Sequence, residues 1–445
     1  MRRNVIVGTG VAGISAAEAI RGCETGAEIL LIGDEPQGYY SRPGLAYYLT
    51  GELPEGQLIL NNERNIRQLN LDVLKARVLT LDANEHALVL GDGKRIQYER
   101  LLIATGARAA RVHSPGVDLE GVIKLDNFED AKKMINLARK ARSAVVVGGG
   151  ITALEIVEGL IARNLKTNYL LRSDRYWRNV LDETESKIVE DRLKHEGVKI
   201  HYNTELQEIL GYRGRVAGVR TMDDRQIKCE LVAIAVGIRP RKELADAAGL
   251  EVDRGILVDE YLQTSDPDIF AAGDVAQVYD PFSGKSVLDS LWGPAREQGY
   301  IAGMNMAGHQ EKYYKTVPFN VTRLAGLTTT IIGKVGQGRD DDLHGIARGD
   351  SETWRELPDA IAAQSNFEVN RLRILIGENS LIGAVVMGDQ TLSRPIQKLI
   401  TEQVEITPIR KRLLEPGAVI ADILADFWSQ WQTSDSGACQ IQYAS

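Results

Sequence analysis

Cysteine is scarce and scattered: the 445 residues hold three, Cys23, Cys229 and Cys439. No two of them form a C-x-x-C or a C-x4-C pair, so the chain carries neither a disulfide framework nor a cysteine metal quartet. The six histidines show no ligand spacing either, and no metal is expected. Long apolar runs are missing as well. No stretch approaches the roughly 18 to 20 residues that a membrane helix needs, so a membrane partner is not expected. Positive charge is in deficit, with a net charge of −8, which argues against a general nucleic-acid binder. The chain passes from Met1-Arg2-Arg3-Asn4 straight into an apolar strand. A secretory leader would have to include that strand, so a reduced, cytoplasmic setting is the expectation.

What is present is a glycine-rich chain, 44% hydrophobic and 26% charged, long enough for two or three domains. Its organising stretch is Val5-Ile6-Val7-Gly8-Thr9-Gly10-Val11-Ala12-Gly13, running into an Ala-rich segment. A β-branched run, a Gly-x-Gly-x-x-Gly and a helix-favouring segment read as strand, tight turn and helix. Gly8 permits the turn, Gly10 removes the Cβ that would block a pyrophosphate, and Gly13 lets helix and strand pack closely. The helix start then presents unpaired N–H groups and a positive dipole end to phosphates. The second strand, Glu28 to Ile32, ends at Gly33-Asp34-Glu35. A carboxylate is needed there to accept from an adenosine ribose, and Asp34 and Glu35 are both candidates. The constrained segment Tyr39-Tyr40-Ser41-Arg42-Pro43-Gly44-Leu45 follows.

Residues from about Val73 to Leu90 alternate like a small meander, and Leu101-Leu102-Ile103 ends in Ala104-Thr105-Gly106. Pro115-Gly116 marks a domain crossing. The strand–turn–helix signal then returns as Val145-Val146-Val147 before Gly148-x-Gly150-Ile151-x-Ala153, with Glu155 close behind. Two fingerprints about 140 residues apart are far more specific than one. The strand after the second fingerprint ends in Arg172-Ser173-Asp174-Arg175, with Arg178 one turn on. A carboxylate at this place would bind the 2′-hydroxyl of NAD; an arginine pairs with the 2′-phosphate of NADP. Val232 to Pro240 reads as the return crossing, and a short strand then leads to Ala272-Gly273-Asp274 and to a helix holding Trp292, Ala295, Gln298 and Gly299. From about Val317 the composition changes. Leu327–Ile332 and Ile382–Met387 alternate like antiparallel strands. The charged stretch Arg339–Glu356 between them reads as an exposed insertion. A final amphipathic helix, roughly Ala418 to Trp431, is expected to pack on the protein through Val419, Ile420, Ile423, Leu424, Phe427, Trp428 and Trp431. The last dozen residues read as disordered.

These residues resemble the two-dinucleotide-binding flavoprotein reductases, the pyridine nucleotide–disulfide oxidoreductase superfamily. The matches run in order through Gly8-x-Gly10-x-x-Gly13, Ala104-Thr105-Gly106, Gly148-x-Gly150-x-x-Ala153, Val236-Gly237-Ile238-Arg239-Pro240 and Ala272-Gly273-Asp274. The implied fold is α/β, with two Rossmann-like dinucleotide-binding domains and a C-terminal α+β domain. The implied boundaries are 1–114 and 241–316 for an FAD domain, 115–240 for an NAD(P)H domain inserted within it, and 317–445 for the last. The resemblance places FAD on the first fingerprint, with Val11, Ala12, Val78, Gly273, Asp274, Trp292 and Ala295 on the flavin side. NADPH, with NADH as the alternative, lies on the second with Ile151, Arg172, Arg178 and Gly237. Glu155 matches a glutamate held near the nicotinamide.

Tyr40-Ser41-Arg42-Pro43-Gly44-Leu45 resembles a segment of rubredoxin reductases, bacterial ferredoxin reductases and the flavin part of NAD(P)H nitrite reductase. By that match Arg42 and Pro43 belong to the flavin pocket, with Arg42 a cation beside the ring. Pro43 stands where thiol-dependent relatives carry a cysteine, so electrons would leave directly from the flavin edge. The expected acceptor is a small carrier protein, ferredoxin or rubredoxin. Two other readings stay open: a quinone reductase of the type II kind, and a slow flavin-bearing redox sensor akin to apoptosis-inducing factors. Oligomerisation is compatible with each.

Overall fold

A computed structural model describes residues 3–59, 67–281, 283–335 and 370–435. Its plan is the expected mixture of helices and parallel sheets, built twice. In the first five-stranded sheet the order is Ile269–Ala271, Arg100–Ile103, Arg3–Val7, Glu28–Gly33 and Asp72–Lys75, every pair parallel. In the second it is Val122–Ile123, Leu231–Ile234, Ser143–Val147, Lys166–Leu170 and Lys199–His201, again all parallel. Strands with both faces covered read as continuous apolar runs. That is why Val5-Ile6-Val7 and Ala144-Val145-Val146 are fully or almost fully buried.

Each sheet carries a three-stranded antiparallel meander, Val78–Asp82 with Ala87–Leu90 and Arg95–Gln97 in the first half, Leu206–Tyr212 with Arg215–Thr221 and Gln226–Lys228 in the second. The meander expected from Val73 therefore starts later. Asp72–Lys75 instead adds a parallel edge strand beside Glu28–Gly33, because its four residues follow a chain return rather than a hairpin. The two crossings between the halves lie side by side, Ala107–Ala109 pairing antiparallel with Ile238–Pro240.

Small residues bring the elements together. The helix Trp292–Met306 lies so close to the helix Val11–Cys23 that a Cβ on Gly299 would stand 2.1 Å from Ala12 O, and one on Gly303 2.4 Å from Ala16 O. The helix Leu45–Thr50 leaves the first core and packs on the helix Ile151–Ile161, where a Cβ on Gly159 would meet Leu49 Cβ at 2.8 Å.

The C-terminal unit is an antiparallel sheet in the order Phe319–Leu324, Leu327–Gly333, Leu381–Met387, Arg371–Ile376. Leu324, Leu327, Ile331, Val385 and Met387 face the second half's core, while Ile332, Ala384 and Val386 face the closing helices. The final helix runs from Ile420 to Asp435 and buries Ile423 and Leu424 against that sheet layer. Val419, placed on its apolar stripe by periodicity, precedes the helix and is 61% exposed. The expected insertion Arg339–Glu356 and the expected disordered tail lie outside the described residues.

Candidate functional site

Both fingerprints form the same turn, for the same steric reason. Gly8 has φ +126° and a Cβ there would stand 2.0 Å from Ala104 O; Gly148 has φ +143° and its Cβ would stand 2.1 Å from Ala235 O. Only glycine fits either place. A Cβ on Gly13 would stand 2.0 Å from Gly8 O. Gly10 differs: a Cβ there meets nothing within 4 Å. Its bareness serves no protein contact and leaves room for a ligand. Gly10 and Gly150 are also the N-caps of the helices Val11–Cys23 and Ile151–Ile161, with no side chain capping either. The first-turn N–H groups are left for an anion.

The first turn opens on a cavity of about 390 Å³. Gly8, Gly10, Asp34, Glu35, Arg42, Val78, Ala104, Thr105, Gly106 and Asp274 all line it. The two candidate carboxylates behave differently there. Asp34 is exposed, whereas the Glu35 side chain is 19% exposed, with Oε1 paired to Arg42 Nη2. Its Oε2 is buried with no donor. An orphaned carboxylate oxygen at the end of the second strand is the acceptor that a ribose hydroxyl requires. Val11, Ala12, Gly13, Pro43, Gly273, Trp292 and Ala295, expected at this site, are not among the residues that line the cavity. A Cβ on Gly273 would touch the Cβ atoms of Ala12 at 3.2 Å and Ala295 at 3.6 Å.

Arg42 does not stand free in the cavity. Besides Glu35, its Nη1 donates to the Asp126 carbonyl at 2.7 Å, and its guanidinium lies 5.3 Å from the Tyr40 ring centre. Burial disfavours its charge, but Tyr40, Glu35 and Asp126 outweigh that and hold its pKa above the ordinary arginine value. Asp126, 2% exposed, accepts from Ala109 N–H at 3.1 Å and Arg241 Nη2 at 3.2 Å. Arg241 in turn donates through Nε to Ala107 O at 3.3 Å, and its own carbonyl accepts from Thr105 Oγ1 at 3.0 Å. Neither Asp126 nor Arg241 carries a motif, though a basic residue following Ile238-Arg239-Pro240 was a visible hint.

The second turn opens on a cavity of about 620 Å³. Gly148, Gly150, Ile151, Arg172, Arg178 and Gly237 line it, and Ile238 lines both cavities. Ala153 and Glu155, 0% and 6% exposed, are not among the residues that line it. Arg175, Trp177 and Thr204, which spacing did not single out, complete the wall. Val7 pairs with Ile32 in the first sheet and Val147 with Leu170 in the second, so the position two residues on is Asp34 in the first half and Arg172 in the second, a carboxylate replaced by a cation. Neither cavity has a cysteine on its wall. Cys229 is buried, which pushes its thiol up to about 12, and Cys23 lies 3.1 Å from Met304 Sδ. No cluster of three metal-ligating side chains occurs among the described residues, and none of their helices is long and apolar enough to cross a membrane.

The family model for pyridine nucleotide-disulphide oxidoreductases matches residues 2–299. A probable ferredoxin reductase of Castellaniella defragrans is 30% identical over 92% of this chain and 98% of its own length. The ferredoxin–NAD(+) reductase component of the Paraburkholderia xenovorans biphenyl dioxygenase system is 32% identical over 79% of this chain and 85% of its own. A Bacillus subtilis nitrite reductase [NAD(P)H] is 26% identical over 93% of this chain, which spans about half, 49%, of that relative. Among solved structures, a ferredoxin reductase of Rhodopseudomonas palustris superposes with a TM-score of 0.80 at 24% identity, over 95% of this chain and 99% of its own. An engineered water-forming NADPH oxidase bound to NADPH, made from the NADH oxidase of Lactobacillus brevis, gives a TM-score of 0.78 at 19% identity, over 97% and 99%.

Proposed function

The chain belongs to the pyridine nucleotide-disulphide oxidoreductase family, and on that premise we propose that it is an FAD-dependent oxidoreductase passing electrons from NADPH to a small carrier protein such as a ferredoxin or rubredoxin. The observation that carries the reading is the pair of glycine-turn cavities meeting at Ile238, with no thiol on either wall. FAD, when bound, supplies the redox chemistry, taking two electrons from reduced nicotinamide and releasing them to an acceptor.

The protein's part is binding and orientation. Glu35 would take the adenosine ribose of FAD, Gly8, Gly10 and the following helix start its pyrophosphate, and Asp274 and the Ala104–Gly106 turn the portion beyond. Gly148 to Ile151 would hold the pyrophosphate of NADPH, and Arg172 and Arg178 its 2′-phosphate. Glu155, buried, would steady the nicotinamide end. Pro43 keeps a thiol out of the path, so electrons pass to the acceptor without a cysteine relay. We assign the FAD unit to 1–114 and 241–316, the NADPH unit to 115–240 and the closing unit to 317–445, in a cytoplasmic setting.

The residues at the second cavity support NADPH over NADH. The engineered oxidase carries substitutions to Ala, Ala, Arg, Ser and Arg at successive intervals of 18, 1, 1 and 5 residues. Ala153, Leu171, Arg172, Ser173 and Arg178 stand here at the same intervals, four of them identical and the fifth also uncharged. An acidic strand end would repel the phosphate, and this chain has none at that step.

Anaerobic stopped-flow reduction of the FAD-loaded protein tests the reading. Fast bleaching by NADPH, slow bleaching by NADH and reoxidation by ferredoxin or rubredoxin are expected. Fast bleaching by NADH alone would refute the arginine assignment, and slow bleaching by both would refute a turnover enzyme.

A further inference from the structure

The cation that the motif passes over in the second cavity is Arg175. Its side chain is 15% exposed, it lines the cavity beside Arg172 and Arg178, and its Nε is buried with no acceptor. Its Nη1 reaches the Asp174 carboxylate at 3.4 Å. That carboxylate, half exposed, is shared with Arg178 Nη1 at 3.6 Å.

A structural arginine on the C-terminal sheet is satisfied differently. Arg373 spreads its donors over Glu185 and the carbonyls of Val180 and Val335. Among the described residues Arg175 meets no such carbonyl, and its one counter-ion there is long, weak and shared. A guanidinium stays protonated under all relevant conditions and presents five donors in a rigid fork. Burying it short of acceptors is costly unless an anion arrives from outside.

We infer that Arg175 is the third cation of the 2′-phosphate pocket, with Asp174 as its resting counter-ion; this rests on the NADPH reading above. The phosphate dianion takes donors that Asp174 holds only at long range, and the half-exposed carboxylate turns to water. Arg172, exposed at the rim, attracts the phosphate; Arg175, seated in the wall, fixes it. Arg175 is thus a specificity residue, remote from the reacting atoms.

Calorimetric binding of adenosine 2′,5′-bisphosphate and adenosine 5′-monophosphate to the FAD-loaded protein and to Arg175→Gln tests this without turnover. The substitution should weaken the bisphosphate about ten- to a hundredfold, the range for a lost charged hydrogen bond, and the monophosphate far less. In stopped-flow assays it should raise KM for NADPH much more than for NADH and leave kcat for NADPH nearly intact. Asp174→Asn should tighten the bisphosphate, and Arg175→Lys, which keeps the charge but loses the fork, should fall between wild type and Gln. A wild type that prefers the bisphosphate while Arg175→Gln keeps that preference overturns the inference. Equal losses for both nucleotides overturn it too, since they mark a merely structural role. A wild type with no preference overturns the NADPH reading instead. Should Arg175→Gln fail to fold, the Arg175→Lys and Asp174→Asn comparisons decide by the same criteria.

Discussion

Replacing Arg42 with alanine separates two roles for that residue. The resemblance of Arg42-Pro43 to a flavin-side segment implies a cation beside the isoalloxazine, whose loss would slow flavin reduction. The geometry ties Arg42 instead to Glu35 at the end of the second strand and to the Asp126 carbonyl, 84 residues away in sequence. Without Arg42 the Glu35 carboxylate, 19% exposed, loses its counter-ion, while its other oxygen already lacks a donor. A charged hydrogen bond contributes about 1.5–3 kcal/mol. The Arg42 side chain is itself 35% exposed, and solvent screening brings the expected loss down to about 1–2 kcal/mol. FAD should therefore bind roughly 5- to 30-fold more weakly, measured by the fluorescence of released flavin on dilution. The limiting rate of reduction at saturating FAD and NADPH should change little. A cycle with Glu35→Gln should show non-additive losses, since the two residues act as a pair. Unchanged FAD affinity together with a tenfold slower reduction would refute the pairing argument and return Arg42 to the ring.

Gly10→Ala should fold normally, because its Cβ meets no protein atom, yet lose FAD; Gly8→Ala, with a Cβ 2.0 Å from Ala104 O, should fail to fold. Soluble yield and absorbance near 450 nm, the visible flavin band, distinguish the two at about the scale of a full site. Burial raises the Glu158 pKa to about 7, with Arg323, Arg192 and the Gly326 N–H opposing that and Glu52 adding to it. A carboxyl whose folded pKa exceeds its unfolded value gives stability that is complete below pH 4.5 and lost as pH rises through about 7. The melting temperature should thus fall from pH 5 to 8, and Glu158→Gln should flatten that fall; equal slopes would refute the assignment. Arg373→Ala should cost about 3 kcal/mol, because breaking a buried pair leaves a charge with only the Arg371 contact at 3.9 Å and the Asp182 N–H at 2.9 Å. That charge is Glu185, 0% exposed and held by Arg373 Nε at 2.8 Å; urea unfolding measures the loss.

The parts of the site that were legible in the sequence are those fixed by backbone geometry. A turn that forces positive φ and a carbonyl at contact distance admits only glycine, so Gly8 and Gly148 announce themselves at any distance in the chain. The repeated strand order follows from the same local signals, and so does the pairing of Leu327–Gly333 with Leu381–Met387. Side-chain partnerships across the halves leave no such trace. Glu35 and Asp34 are indistinguishable in sequence, and only Arg42, fixed by Asp126 of the other half, makes Glu35 the buried one. Arg175 looks like any surface arginine until the turn after Leu171 seats it in the cavity wall. The Leu45–Thr50 helix reads as part of the first unit, yet packs on the second because Gly159 lets Leu49 approach. These contacts share a consequence. Asp126 accepts from Ala109 on one crossing strand and from Arg241 just after the other, while its carbonyl holds Arg42. Glu35 is therefore held by Arg42 in this way only when the second half is folded in place, so residues 1–114 and 241–316 expressed without 115–240 should bind FAD more weakly than the whole chain, by at least the loss expected for Arg42→Ala. Equal affinity in the two forms would show that the first half sets Glu35 unaided.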